Sequence, residues 1–181
     1  MKTLETPRLI LRPFTLKDLP AFFAYAKKEN IGPNAGWKPH QSIEESETIL
    51  KQFINAETLW AITLKKDGHL IGSIGLHEDK HRHNPRVKSL GYVLDDVFWG
   101  QGIVTEAARR VIRYAFEMLE IDMLSVGHYP LNERSKRVVE KCGFIYEATL
   151  RQAVVRYDGT VLDLVLYYLD RHQYNKIKTT L

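Results

Sequence analysis

A strand-like run from Val87 to Asp96 meets a long helical stretch through Trp99-Gly100-Gln101-Gly102-Ile103-Val104-Thr105. That joint constrains the fold more than any other segment. Downstream of it, Val104, Ala107, Ala108, Val111, Ile112, Ala115 and Leu119 recur at helical spacing. Glycines at such a joint let the backbone turn tightly and approach a ligand, while the first amides of the helix point outward. This arrangement suits a phosphate or pyrophosphate. A single glycine at a strand-to-helix turn can equally serve geometry alone. A P-loop would need Gly-Lys-Ser/Thr, which is absent. A dinucleotide fingerprint would need a third glycine where Thr105 stands, although Asp122 lies about 20 residues on, as that motif asks. A hairpin upstream also breaks the βαβ context of that fold.

The rest of the chain supplies the layers around this joint. Arg8 to Phe14 reads as a strand, and Thr15 with Asp18 opens a helix as a capping box. Its apolar positions run through Leu19, Phe22, Phe23 and Ala26. Asn30 to His40 holds two prolines and two glycines and reads as a loop. Ser42 and Glu45 cap a second helix that reaches about Ala56. Thr58 to Leu64 and Leu70 to Leu76 are strands around Lys66-Asp67-Gly68, and Met123 to Tyr129 is another. Asn132 starts a helix that stops at Gly143. Ile145 to Tyr157 and Val161 to Leu169 flank Asp158-Gly159, a strong hairpin signal. Strands and helices alternate only locally, which predicts a mixed sheet. No linker or repeat divides residues 1–181, so one domain is expected, with a flexible tail over about 172–181.

Composition narrows the function classes. A chain of 181 residues that is 44% hydrophobic can bury a sizeable core, which excludes an intrinsically disordered chain. No apolar run approaches the roughly 20 residues of a membrane span, and the N-terminus has no signal-like apolar region, so no membrane association is expected. The single cysteine, Cys142, cannot form an internal disulfide, which predicts a reducing, cytoplasmic setting. The net charge of +4 permits an anionic ligand, but the basic residues are scattered, and nucleic acid is not an expected partner.

Two clusters have chemical readings. Positions 132, 135, 139 and 142 share one helix face and carry Asn132, Ser135, Val139 and Cys142, so two polar residues begin an apolar stripe. Alone, this is equally an N-cap followed by a serine bonded to its own helix. His77-Glu78-Asp79-Lys80-His81 matches His-Glu-x-x-His, which binds zinc only on a helix. Here it follows a strand and precedes Asn84-Pro85, so no metal is expected.

Together the segments resemble the GNAT N-acetyltransferase superfamily, and within it the branch of Rim-type ribosomal-protein alanine N-acetyltransferases. The resemblance runs from Thr6-Pro7-Arg8-Leu9-Ile10-Leu11-Arg12-Pro13 through Ile71-Gly72-Ser73-Ile74-Gly75-Leu76 and Gly91-Tyr92-Val93-Leu94. It continues in Trp99-Gly100-Gln101-Gly102 with Thr105-Glu106-Ala107, then Asn132-x-x-Ser135 and Glu140-Lys141-Cys142-Gly143-Phe144. It implies an α+β (mixed α/β) fold: a mostly antiparallel twisted sheet of about seven strands flanked by about four helices. It also implies acetyl-CoA as co-substrate and a primary amine as acceptor, either a protein N-terminus or a small amine, which attacks the thioester directly in a ternary complex; the protein would be a monomer or homodimer. Val93 and Leu94 would bond the pantetheine arm through their backbone. The loop from Trp99 through Gly100, Gln101, Gly102, Ile103 and Val104 to Thr105 would cradle the pyrophosphate. Asn132 would bond pantetheine and Ser135 would sit near the thioester sulfur.

The chain departs from the family pattern at three positions. Val139 stands where many members carry a tyrosine acid, Val104 where the loop's last residue is often small, and Trp99 where the branch usually has Arg or Gln. A protonated amine needs a base, for which Glu106, His128, Tyr129 and Glu78 are the candidates. Trp37 and His40, between the first two helices, and Tyr92 are expected to line the acceptor mouth. Cys142, inside an apolar stripe with no neighbouring histidine, is expected to be a structural thiol. A coenzyme A-binding regulator without turnover is the alternative class.

Overall fold

The computed structural model describes residues 1–181. Eight strands and six helices follow the chain: β1 (Leu4–Glu5), β2 (Leu9–Pro13), α1 (Leu19–Ala26), α2 (Gly32–Ala35), α3 (Ile43–Ala56), β3 (Leu59–Leu64), β4 (Leu70–Glu78), β5 (Val87–Leu94), α4 (Ile103–Met118), β6 (Met123–His128), α5 (Glu133–Lys141), β7 (Ile145–Val155), β8 (Val161–Asp170) and α6 (Arg171–Ile177). The strand order is β1-β2-β3-β4-β5-β6-β8-β7. The β2–β3, β3–β4, β6–β8 and β7–β8 ladders are antiparallel, whereas β5 and β6 run parallel. The expected mixed, mostly antiparallel sheet is therefore present, with one strand and two short helices more than the sequence suggested.

Two compact units divide the chain: Met1–Gly75 with Tyr92–Ala107, and Leu76–Gly91 with Ala108–Leu181. In the first, the core gathers Phe14, Phe22, Tyr25, Ile31, Leu50 and Leu70, with Trp37, Phe53, Val93 and Trp99 packed at its margin. Phe22 is the hub, its ring edge-on to Phe14, Tyr25 and Phe53. Turn chemistry builds its edges. The Asp18 carboxylate accepts from the Thr15 backbone amide at 2.8 Å and holds the Arg12 guanidinium in a two-pronged pair. Ser42 accepts the Glu45 amide at 3.2 Å, but the Glu45 carboxylate reaches one residue beyond the cap, to the Gln41 amide. Gly68 takes φ +72 in the β3–β4 turn, as the Lys66-Asp67-Gly68 signal predicted.

In the second unit, Val111, Ile112, Ala115 and Phe116 of α4 are buried with Leu124 and Val126 of β6 and Leu166 and Leu169 of β8. The β7–β8 turn closes through the Arg156 amide on the Thr160 carbonyl, with Gly159 at φ +81. Of the segment 172–181, expected as a flexible tail, the residues up to Ile177 belong to α6. Asp170 caps it by accepting the Gln173 amide at 2.8 Å. Tyr174, which is buried, stacks on Phe116 at 4.5 Å and donates to Glu117 at 2.6 Å. An isolated helix this short is marginal in water, so its contacts hold it. No helix is long and apolar enough to cross a membrane.

Candidate active site

β5 ends at Leu94, two residues before its expected limit, because Asp95 and Asp96 turn away to bind Lys28. A short 3-10 turn over Asp96–Phe98 then delivers Trp99. Its indole N–H donates to the Leu94 carbonyl at 2.9 Å, while its ring packs at the margin of the first unit's core. Trp99 therefore pins the start of the loop to the end of the strand.

Gly100 and Gly102 both adopt left-handed backbone, at φ +76 and +73. A Cβ on Gly100 would meet nothing within 4 Å, and one on Gly102 would meet only Arg8 Nη2 at 3.8 Å. Open space thus lies over the two positions where backbone can come closest to a ligand. The loop runs directly into α4 at Ile103. The Glu106 amide bonds the Gly102 carbonyl at 3.0 Å, so the amides of Ile103 and Val104 precede the first helical hydrogen bond. The helix dipole favours an anion at this end.

Glu106, one of the expected bases, has another occupation. Its Oε1 accepts the Thr6 hydroxyl at 2.5 Å and the Arg8 amide at 2.9 Å, and its Oε2 accepts Arg8 Nε at 2.6 Å. Burial pushes its carboxyl up, but these hydrogen bonds from Thr6 and Arg8, with the charge of Arg8, hold it below the usual carboxylate range. A carboxylate so engaged is a poor proton acceptor, and the geometry makes it a brace. Arg8 extends the same network, since its Nη1 donates to the Gln101 carbonyl at 3.0 Å. Sequence reading did not give Thr6 and Arg8 a role at the loop. Their partners lie 100 and 98 residues away, beyond any local pattern.

In the second unit, β6 feeds the turn that opens α5. His128 is 6% exposed, tilted against Tyr167 at 5.5 Å, and its Nδ1 lies 2.8 Å from the Tyr129 carbonyl. A carbonyl only accepts, so Nδ1 carries the proton and the lone pair of the neutral ring is on Nε2. Nε2 is buried without a hydrogen-bond partner. The Tyr129 carbonyl also accepts the Asn132 amide at 2.9 Å, so His128 and the helix cap share one anchor. The Asn132 side chain accepts the Ser135 amide at 3.1 Å, which leaves its amide nitrogen as the end that can donate to a ligand. Asn132 and Ser135 are half-buried, whereas Val139 and Cys142 are buried, as the stripe predicted. Burial pushes the Cys142 thiol up to about 12, as expected of a structural cysteine. Burial also raises the half-buried Tyr129 phenol, more than the charge of Arg156 lowers it.

The expected acceptor residues divide. His40 is 6% exposed, its Nδ1 lies 2.7 Å from Ser46 Oγ, and its ring packs against Phe22 and Trp37. It belongs to the aromatic packing of the first unit, a correction to its expected place at the acceptor mouth. Trp37 is half-buried over Gly32, and Tyr92 is half-buried on β5. β4 extends to Glu78, so His77 and Glu78 lie on a strand and Glu78 is exposed. Side chains at i and i+4 then share no helical face for a metal, and no group of three or more metal-ligating side chains comes together.

Comparison with known proteins bears on the same segments. The family model for the acetyltransferase (GNAT) domain matches residues 8–145. An uncharacterized N-acetyltransferase, YoaA of Bacillus subtilis, is 31% identical over 169 residues, covering 91% of this chain and 94% of its own. Among solved structures, the ribosomal-protein-S5-alanine acetyltransferase of Vibrio fischeri superposes with a TM-score of 0.77 at 20% identity, covering 94% of this chain and 97% of that one. The spermidine N-acetyltransferase of Vibrio cholerae, in complex with CoA and spermine, gives 0.79 at 21% identity, covering 94% and 99%. At such identities these two are likenesses of fold.

Proposed function

Because the chain belongs to the GNAT acetyltransferase family, an acetyl-CoA-dependent group, we propose that it acetylates a primary amine by direct attack in a ternary complex, without an acyl-enzyme. The observation that carries this reading is the pair of left-handed glycines, Gly100 and Gly102, with open space over both and α4 starting directly behind them. A phosphate fits such a cradle through the loop amides from Gln101 to Thr105. The backbone of Val93 and Leu94 would hold the pantetheine arm. When bound, acetyl-CoA supplies the thioester carbonyl that the amine attacks.

The side chains of this protein then have to manage one proton and one developing charge. An α-amino group has an ordinary pKa near 7.7–8.0 and an alkyl amine a higher one, so either must lose a proton to become nucleophilic. His128 can accept it, because its tautomer is set by the Tyr129 carbonyl and its Nε2 lone pair has no competing partner. Ser135 would donate to the sulfur as charge builds on it. The two solved neighbours have different acceptors in their names, a ribosomal-protein alanine and spermidine, at nearly equal TM-scores. The shared fold therefore supports either acceptor class for this chain, with Trp37 and Tyr92 as candidate contacts.

Thermal unfolding with and without acetyl-CoA, followed by coenzyme A release over alanine- and serine-initiated peptides, spermidine and spermine, tests the reading. Ligand at 100 times its dissociation constant adds roughly 2.7 kcal/mol, a shift of about 5–10 °C for a chain this size. NADH and ATP should shift it far less. No shift at millimolar acetyl-CoA, or release with none of the amines, overturns the proposal.

A further inference from the structure

From Trp99 to Thr105 the loop carries no cationic side chain of its own, although the ligand assigned to it is a doubly charged pyrophosphate. The cation that the fold brings there comes from the other end of the chain. Arg8 stands just before β2, and its guanidinium is divided among three directions. Nε is spent on Glu106, Nη1 on the Gln101 carbonyl, and Nη2 lies 3.8 Å from where a Gly102 side chain would begin. We propose that Arg8 is a coenzyme-phosphate ligand and the positioning residue of the loop, held in place by Glu106 and Thr6. This rests on the coenzyme site proposed above.

The geometry separates the two duties. The bond to the Gln101 carbonyl fixes the peptide between the two left-handed glycines, where the backbone has most conformational freedom to lose. Fixing it before the ligand arrives removes an ordering cost from binding. Meanwhile Glu106 is itself tied by Thr6 and by the Arg8 amide, so the guanidinium plane is oriented from both edges. Arginine suits this arrangement because its planar fork serves several acceptors at once, which the single ammonium of lysine cannot do. An exposed ion pair alone contributes little to stability, and Arg8 is 48% exposed at its side chain. Its cost in exposed, ordered side chain is accounted for by ligand binding better than by folding.

Affinity for acetyl-CoA and steady-state constants for acetyl-CoA and S-acetylpantetheine, which lacks the pyrophosphate, would be measured for the wild type, Arg8→Ala, Arg8→Lys and Glu106→Gln. Wild-type binding comes first, since its absence would refute the coenzyme site itself. Given that binding, Arg8→Ala should weaken acetyl-CoA by about 10- to 100-fold, the loss of a charge-assisted contact. With S-acetylpantetheine the same variant should lose far less. Arg8→Lys, which keeps the charge and covers the case that the alanine variant unfolds, should recover only part of the affinity. Glu106→Gln should raise KM for acetyl-CoA more than it lowers kcat. Equal losses with both thioesters, or a Glu106→Gln variant whose kcat falls with KM unchanged and a shifted pH profile, would overturn the inference and make Glu106 the base.

Discussion

Gly102→Ala separates the loop's ligand role from its part in folding. The residue sits at φ +73, where an L side chain is disfavoured by roughly 1–2 kcal/mol. The new Cβ would touch only Arg8 Nη2, at an ordinary van der Waals distance of 3.8 Å, so no packing clash adds to that strain. For a chain of this length the fold should lose about 2–8 °C in Tm. Gly68→Ala is the matched control: φ is +72, nothing lies within 4 Å of its Cβ, and it belongs to the β3–β4 turn. Its stability loss should be similar. Coenzyme binding should distinguish the two. A methyl group over Gly102 displaces a phosphate from the backbone amides, and one lost charge-assisted hydrogen bond of about 1.5–3 kcal/mol weakens Kd by about 10- to 150-fold. Isothermal titration with acetyl-CoA, run well below either Tm, reads the difference directly. If both variants bind acetyl-CoA alike, the loop is not a phosphate cradle, whatever their stabilities.

Ser135→Ala should lower kcat by about 10- to 100-fold with little change in KM for acetyl-CoA, because a donor to the developing thiolate acts only in the transition state; an unchanged kcat would leave Ser135 as a residue of its own helix. His128→Gln should cost more activity at pH 7 than at pH 9 on a peptide acceptor, whose α-amino group deprotonates unaided at the higher pH; a pH-independent loss in initial rates would remove His128 as base. Cys142, buried and with its thiol pushed up to about 12, should resist a thiol reagent at pH 8 until the protein unfolds, and fast native labelling would contradict that burial. Acid should unfold the protein from about pH 4 downward. Burial alone would raise the Asp18 and Glu106 carboxyls, but bonds from Arg12 and Thr15, and from Thr6 and Arg8, hold both below their unfolded values. Their contribution is therefore complete above the unfolded values near pH 4 and is lost as pH falls through the lower folded ones, so a Tm that stays flat to pH 2 would refute the assignment.

Much of this fold was legible because local chemistry and tertiary structure agree. The Asp158-Gly159 turn, the Thr15 start and the apolar stripe ending in Val139 and Cys142 each depend on residues a few positions apart. β1 and α6 were not legible, for opposite reasons. β1 is two residues long and exists through its pairing with β2, Leu4 opposite Leu11. In α6 the apolar content is little more than Tyr174 and Ile177, too few for a periodic signal, and docking on Phe116 and Glu117 supplies what propensity does not. The strand through His77 and Glu78 runs two residues past its expected end at Leu76.

The site shows where such reading stops. Glu106 and His128 stood with Tyr129 and Glu78 among the candidates for the base, each a titratable residue at the end of an element. What separates them is the set of groups that reach them from elsewhere in the chain. Glu106 is met by three donors from Thr6 and Arg8, so a proton arriving there would have to displace hydrogen bonds that stabilise its charged form. His128 is met by one acceptor, on the nitrogen that does not have to react, and its other nitrogen is buried without a partner. A buried polar atom without a partner costs free energy in the resting protein, about 1–3 kcal/mol. A bound amine that donates to Nε2, as we propose, would relieve that cost. Residue type nominated both side chains; the direction and number of their hydrogen bonds make Glu106 a brace of the loop and leave His128 as the base we propose.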